Sequence, residues 1–495
     1  MRRAKKVLLP AAWPLLCAGL ALLFASTASP LYATNFWTDT NIYFTIGRGM
    51  LKGLMPYRDL FDHKGPLLYA LYALAAAVDA HGFAGVWLLE ILSLSLLLGL
   101  AQRLSGRLGA GTLRFAAAPL CAMATCCSAA FTQGGSAEEF CLPALMLGIL
   151  CTVQLTEEKG ERRRTAVLFG AAAAWVFLIK YTDCGLFFGL GFFALLQLWR
   201  KDGLRASAGA LVRMAAGFLV PVLLCAAWLF ACGALSDCVR VYFLSNLLDY
   251  GGAPMSLRAH LLNALAYLRT QSAANPVLAG LTAAGMAGFT VRALLRGGRG
   301  CLAAALAFPA GAGLLLLFCY WGEMAHPYYA LVFAATAAAG AACLPAALIR
   351  VPGAVTGRRA ALLAGALAIA VLPACRAFCR AVPLAGVRRE EMPQVRFAGE
   401  MRALSAAPTL LDLTSLDQGF YLAADLIPGC RYFADNNLDS QEKREAIDGY
   451  LSEGRCEFVV TWWRQLPDNY EPVDRQTGVF DLNDQRTYTL WRRKE

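Results

Sequence analysis

Apolar runs of roughly 20 residues recur along this chain, and that is the length an α-helix needs to cross a bilayer. Only 16% of the 495 residues are charged, against about 25% in a soluble chain of ordinary composition. The expectation is a polytopic α-helical membrane protein. The net charge of +11 does not call for nucleic acid as a partner. Its Lys and Arg residues sit in short clusters between the apolar runs, as the positive-inside rule expects, so membrane lipids are the expected surroundings. Most of the 17 Cys lie inside apolar runs (Cys17, Cys121, Cys126, Cys127, Cys141, Cys151) and read as small buried hydrophobes. Cys430 and Cys456 lie in the polar tail, where a disulfide and a pair of free thiols both stay open.

The cluster Arg2, Arg3, Lys5, Lys6 places the N-terminus in the cytoplasm. The run from Val7 to Ser29 is too long for a cleaved signal peptide and reads as helix 1. It delivers an outer loop, residues 30–66, whose core from Trp37 to Tyr69 packs eight charged or titratable groups among aromatics, glycines and prolines. Leu67 to Ala80 is apolar but too short to span. Counting it as a span would place Arg103, Arg107 and Arg114 outside, so it reads as a juxtamembrane helix. The remaining spans then alternate: about 83–104, 115–131, one ending near Leu155, a pair flanking Lys180–Asp183, then 210–231, 276–295, two more around the turn Trp321–Tyr329, and 360–379. The total is about 11 transmembrane helices. Residues 235–271 read as a long outer segment. Residues 1–380 form the membrane part. Residues 381–495 read as a small soluble α/β domain on the outer side, with strands at Thr409–Leu413, Phe458–Trp463 and Thr487–Trp491 and a helix at Ser440–Glu453.

The unusual polar residues gather in the outer turns, while the inner loops hold mainly Arg and Lys. The outer set is Asp39, Asp59, Asp62, His63, Lys64, Glu138, Glu139, Lys180, Asp183, Arg240, His326, Tyr328 and Tyr329. A site that faces outward follows. In the bland reading, Asp39 caps a helix, Lys64 and Arg58 reach for lipid headgroups, and Glu138 and Glu139 cap helix 4.

One stretch goes further. Asp39 near the outer end of helix 1 is followed by Gly-Leu-Met-Pro-Tyr-Arg-Asp-Leu-Phe-Asp-His-Lys-Gly-Pro (Gly53–Pro66) and then the juxtamembrane helix. This resembles the GT-C superfamily of membrane glycosyltransferases, in particular the protein-mannosyltransferase and aminoarabinose-transferase type. His63-Lys64-Gly65-Pro66 stands where those enzymes carry a Lys-Pro-Pro-like signature, with Gly in place of one Pro. Gly134–Glu139 and His326–Tyr329 are weaker matches. The resemblance implies an integral-membrane hexosyl- or pentosyltransferase with a GT-C-like fold. It implies a polyprenyl-phosphate sugar as donor, a cell-envelope glycan, lipid or protein as acceptor, and transfer with inversion at the plasma membrane.

Under it, Asp39 is the general base. Lys64, then Arg58, His326, Lys180 and Arg240, hold the leaving phosphate. Glu138, Glu139, Tyr57, Tyr328 and Tyr329 contact substrate. No cofactor is required, and a divalent cation on Asp59, Asp62 and His63 is a secondary expectation. Rival readings are a transporter or flippase of lipid-linked sugars, and a non-catalytic lipid-binding relative.

Overall fold

The structure is a computed structural model that describes residues 2–157, 161–248, 255–322, 326–351, 353, 355–482 and 484–494. Helix α1 (Arg2–Ala25) leads into a turn-rich segment and then α2 (Thr38–Met50). The short α3 (Pro66–Val78) is the expected juxtamembrane helix, started by Pro66 at the position where proline's missing N–H costs nothing. Thirteen residues at about 1.5 Å each fall well short of a bilayer. It packs on α2, on α4 (Ala84–Arg107) and on α7 (Arg162–Lys180). The expected span 115–131 is shorter than the sequence suggested: a 3-10 turn Gly111–Ala116 and then α5 (Ala117–Cys126). Next come α6 (Ala137–Glu157), α7, α8 (Gly185–Asp202) and α9 (Leu204–Ala231).

Helices α7 and α8 form a hairpin about the turn Tyr181–Cys184. Arg162 at the start of one pairs with Asp202 at the end of the other at 2.9 Å. Helix α9 lies against α7 through glycines: a Cβ on Gly170 would stand 1.9 Å from the Met214 carbonyl, and one on Gly217 would stand 2.1 Å from that of Val167. Small residues let membrane helices approach this closely.

The segment expected as an outer loop, residues 235–271, is largely helical. It holds α10 (Leu235–Cys238), a π-helical turn Val239–Ser245, α11 (Asn246–Leu248) and α12 (Leu257–Ala274). The hydroxyl of Ser256 caps α12 by accepting from the Ala259 N–H. Asp249, Tyr250, Gly251 and Gly252 lie outside the described residues. Helices α13 (Pro276–Arg296), α14 (Cys301–Cys319), α15 (Phe333–Leu348) and α16 (Gly357–Phe378) complete the bundle. Among the described residues, eight segments are long and apolar enough to cross a membrane. One of these, Arg162–Asp202, holds both α7 and α8. Helix α1 runs for 24 residues, with Ala12–Ala25 as its apolar part, and α5 has only 10. These are the differences from the count read off the sequence.

After α16 come α17 (Pro393–Leu404), β1 (Leu410–Leu413), α18 (Phe420–Ala424), α19 (Gln441–Ser452), β2 (Phe458–Thr461), β3 (Tyr470–Asp481) and β4 (Asp484–Arg493). The sheet order is β1-β2-β4-β3, parallel at β1–β2 and otherwise antiparallel. Strand β3 has no strand signature, since Pro472, Asp474 and Gly478 interrupt it. Its pairing with β4, with register shifts beside Pro472 and Val479, places it in the sheet. Cys430 and Cys456 are free thiols with sulfurs 3.7 Å apart.

This region closes over α2 and the loop that follows. Asp417 accepts the Thr45 hydroxyl at 2.5 Å, Asp425 pairs with Arg48, and Phe61 N–H donates to the Arg431 carbonyl at 2.9 Å. The charged loop is therefore clamped between the helix bundle and the sheet.

Candidate active site

Asp39 sits in the first turn of α2, where the helix dipole favours an anion. It is buried, and the hydroxyl of Tyr43, one turn on, donates to its Oδ2 at 3.2 Å. Tyr43 packs edge-on against Tyr69 and Tyr72. Two hydrogen bonds tie α2 to the turn at Gly134-Gly135: Thr40 donates to the Gly134 carbonyl at 3.0 Å, and Tyr72 to that of Gly135 at 2.5 Å. Glu139 holds that turn. Its Oε2 accepts the Gly135 N–H at 2.9 Å while the Ser136 hydroxyl accepts the Glu139 N–H at 3.0 Å. This is close to a Ser-x-x-Glu capping box. Glu139 thus caps α6 and lies toward Glu90, itself bonded to Ser26. That differs from the expectation that it contacts substrate.

Lys64 is positioned through its peptide groups. Tyr57 donates to its carbonyl at 2.7 Å, and the Tyr69 hydroxyl accepts its N–H at 2.9 Å while donating to Asp62 at 2.7 Å. Tyr57 is fully buried with φ 71°, a strained value for an aromatic residue. It is a strut under Lys64, which corrects its expected place on the substrate. Gly65 donates to the Ile179 carbonyl at 2.9 Å and lies so close to α7 that a Cβ would fall 2.1 Å from the Leu178 carbonyl. A proline there could neither donate nor fit, which is the physical reason this chain carries Gly in that signature.

The ammonium group of Lys64 stands 3.3 Å from His63 Nε2. An ammonium only donates, so that nitrogen accepts. Burial first, then the charges of Lys64 and Lys180, hold His63 well below its usual pKa, and the ring is neutral. Burial raises Asp62 to about 6 against the opposing pull of Lys64.

Lys180, at the end of α7, is in an ion pair with the buried carboxylate of Glu138 and lies 3.6 Å above the Tyr329 ring. His326 stacks on Tyr328, which meets Trp37 edge-on at 5.2 Å. Burial lowers the His326 pKa. The charges of Asp39 and Glu138 oppose that effect and those of Lys64 and Lys180 reinforce it. Its Nε2 is buried with no hydrogen-bond partner among the described residues. Asp39, Lys64, Lys180, Glu138, His326, Tyr328 and Tyr329 are thus brought together.

Arg58 and Arg240 are not. Arg58 chelates Asp59 at 2.7 and 2.9 Å and donates to the Cys232 carbonyl. Arg240 pairs with Glu442 of the C-terminal region. Both are exposed and committed to those partners. Asp59, Asp62 and His63 do not converge on one point either: Asp59 is held by Arg58, and Asp62 by Tyr69. Sequence reasoning passed over Tyr43, Tyr69 and Asn246. The last donates to the His63 carbonyl at 2.8 Å. The i,i+4 spacing from Asp39 was the one available signal for Tyr43.

From Lys64 and Lys180 a cavity of about 1340 Å³ runs down between α7, α8, α9 and α14. Phe169, Phe177, Phe187 and Phe218 line it, and His63, Lys64, Lys180 and Tyr329 form its polar end.

No family model matches the sequence, and no curated protein matches it. Solved structures do match. The structure of ArnT from Cupriavidus metallidurans bound to undecaprenyl phosphate superposes with a TM-score of 0.60 at 14% identity, over 97% of this chain and 98% of that one. The apo form gives 0.60 and 14% over 99% and 98%. The chain shares the fold of these structures over nearly its whole length.

Proposed function

We propose that this protein is an integral-membrane glycosyltransferase that moves a sugar from a polyprenyl-phosphate donor to a cell-envelope acceptor, with inversion. The carrying observation is the 1340 Å³ apolar cavity whose polar end is built from Lys64, His63 and Lys180. Support comes from a fold shared with a protein whose structure holds undecaprenyl phosphate.

In this reading the polyprenyl tail lies along the phenylalanines, and the phosphate meets Lys64. Lys64 is the cation for the job. Its backbone is gripped by Tyr57 and Tyr69, and its ammonium group rests on a neutral imidazole rather than on a carboxylate. Lys180 has Glu138 for a partner and acts more weakly on the donor. Tyr328 and Trp37, both partly exposed, offer rings to the sugar, while Tyr329 lies under Lys180.

Asp39 takes the proton from the acceptor hydroxyl as its oxygen attacks the anomeric carbon. The bond from that carbon to the phosphate oxygen breaks on the opposite side, and the phosphate departs with the electron pair. Stabilising that developing charge by a preorganised cation is the main catalytic effect available here. The site opens on the exoplasmic side, by the Arg and Lys distribution.

The test incubates purified protein with polyprenyl-phosphate sugars and an envelope extract, and measures release of the lipid phosphate. Release by the wild type and none by Lys64→Ala at the same donor concentration supports the reading. Equal donor kinetics in Lys64→Ala refutes the phosphate assignment.

A further inference from the structure

Away from this site, α5 and α16 bring three thiols together. Cys127 caps the C-terminal end of α5, Cys375 lies in the last turn of α16, and Cys379 is the residue that ends that helix. Their three sulfur atoms lie within 4.8 Å of one another. Among the described residues no other set of three potential ligands gathers so tightly.

The spacing is that of two thiols in contact, and it also fits two thiolates on one ion. A disulfide needs its sulfurs about 2.05 Å apart. Two thiolates on one tetrahedral ion at about 2.3 Å each stand roughly 3.8 Å apart. Cys127 Sγ and Cys375 Sγ are 3.8 Å apart. Cys375 and Cys379 are buried, and Cys127 is partly exposed. Arg380 follows directly and donates to the Ala129 carbonyl at 3.2 Å, so a cation already bridges the two elements beside the sulfurs. Three thiolates and a divalent ion leave one negative charge for it to offset. Sulfur ligands select soft or borderline ions over magnesium or calcium.

The geometry points to a three-cysteine site for a thiophilic metal ion of the zinc class, formed by Cys127, Cys375 and Cys379, which fastens the last long apolar helix to α5. Binding releases the thiol protons and places the ion between the two helices. It takes no part in sugar transfer and stands or falls independently of that reading.

The experiment titrates reduced, purified full-length protein in detergent with cobalt(II), which reports bound thiolates by a sulfur-to-metal charge-transfer band. The expected result is one cobalt per chain, displaced by zinc. The band should be lost in Cys127→Ser and in Cys375→Ser and kept in Cys430→Ser. Retention in Cys375→Ser, or no band on the reduced wild type, overturns the proposal. So does a Cys127–Cys375 disulfide in a non-reducing peptide map of the protein as isolated. The wild-type titration and the peptide map decide the matter even where a serine variant fails to fold.

Discussion

Replacing Gly65 with alanine should damage the candidate site far more than one methyl group suggests. The added Cβ falls 2.1 Å from the Leu178 carbonyl oxygen and 2.5 Å from its carbon. Both are backbone atoms of the last turn of α7, so no rotamer change relieves the contact. To reach an ordinary C···O separation of about 3.3 Å, the loop and α7 must part by roughly 1.2 Å. Overpacking of this kind costs about 1–3 kcal/mol. Stretching the hydrogen bond from Gly65 to the Ile179 carbonyl adds about 1 kcal/mol, for a total of roughly 2–4 kcal/mol.

The loop carries Lys64 next door, and α7 carries Lys180 one residue past Ile179, so the same movement separates the two ammonium groups. A 1 Å misplacement at a reacting centre can cost about 100-fold in rate. The assay pairs thermal unfolding in detergent with donor turnover. A lowered melting temperature together with a large loss of turnover is expected. Wild-type melting and wild-type turnover in Gly65→Ala would refute the close packing of the loop on α7.

Other perturbations separate struts from chemistry. Asp62 is raised from 3.8 to about 6 in the folded chain. The native state therefore binds a proton that the unfolded chain lacks between those values, and this group's contribution to stability rises as pH falls through that window. Asp62→Asn should flatten the dependence and raise the melting temperature at neutral pH; an unchanged pH profile would contradict the burial of that carboxyl. Lys180→Ala should leave Glu138 as an unpaired buried charge, at about 3–5 kcal/mol, and Lys180→Met with Glu138→Leu should recover most of that in thermal unfolding. Arg58→Ala and Arg240→Ala break exposed pairs worth about 0–1 kcal/mol each. Turnover should stay near wild type in both, and a tenfold loss in either would return it to the site.

What could be read from the sequence was mostly what depends on neighbours along the chain. The length of the apolar run Leu67–Ala80 marked a helix too short to span, found at Pro66–Val78, and Asp439 or Ser440 marked the start of α19, with Ser440 the cap. The density of charge at Trp37–Tyr69 marked the candidate site. What could not be read depends on distant partners. Strand β3 is held by β4 against the preferences of Pro472 and Gly478. Arg240 is drawn to Glu442 on a far part of the chain. Tyr57 was expected at headgroup depth against the substrate, yet the C-terminal region covers the loop and Tyr57 acts as a strut. The near-capping-box role of Glu139 was visible in Ser136-x-x-Glu139, a signal weaker than the family pattern that overlay it. The thiol cluster joins residues from opposite halves of the chain and has no spacing to betray it.

The most direct test of the account is single-turnover transfer with Asp39→Asn. Loss of a general base typically costs about 100- to 10,000-fold. The account predicts a loss of that size with donor binding, folding and membrane insertion intact, since the Tyr43 hydroxyl that donates to Asp39 can donate equally to an amide oxygen. Full transfer by Asp39→Asn would contradict it.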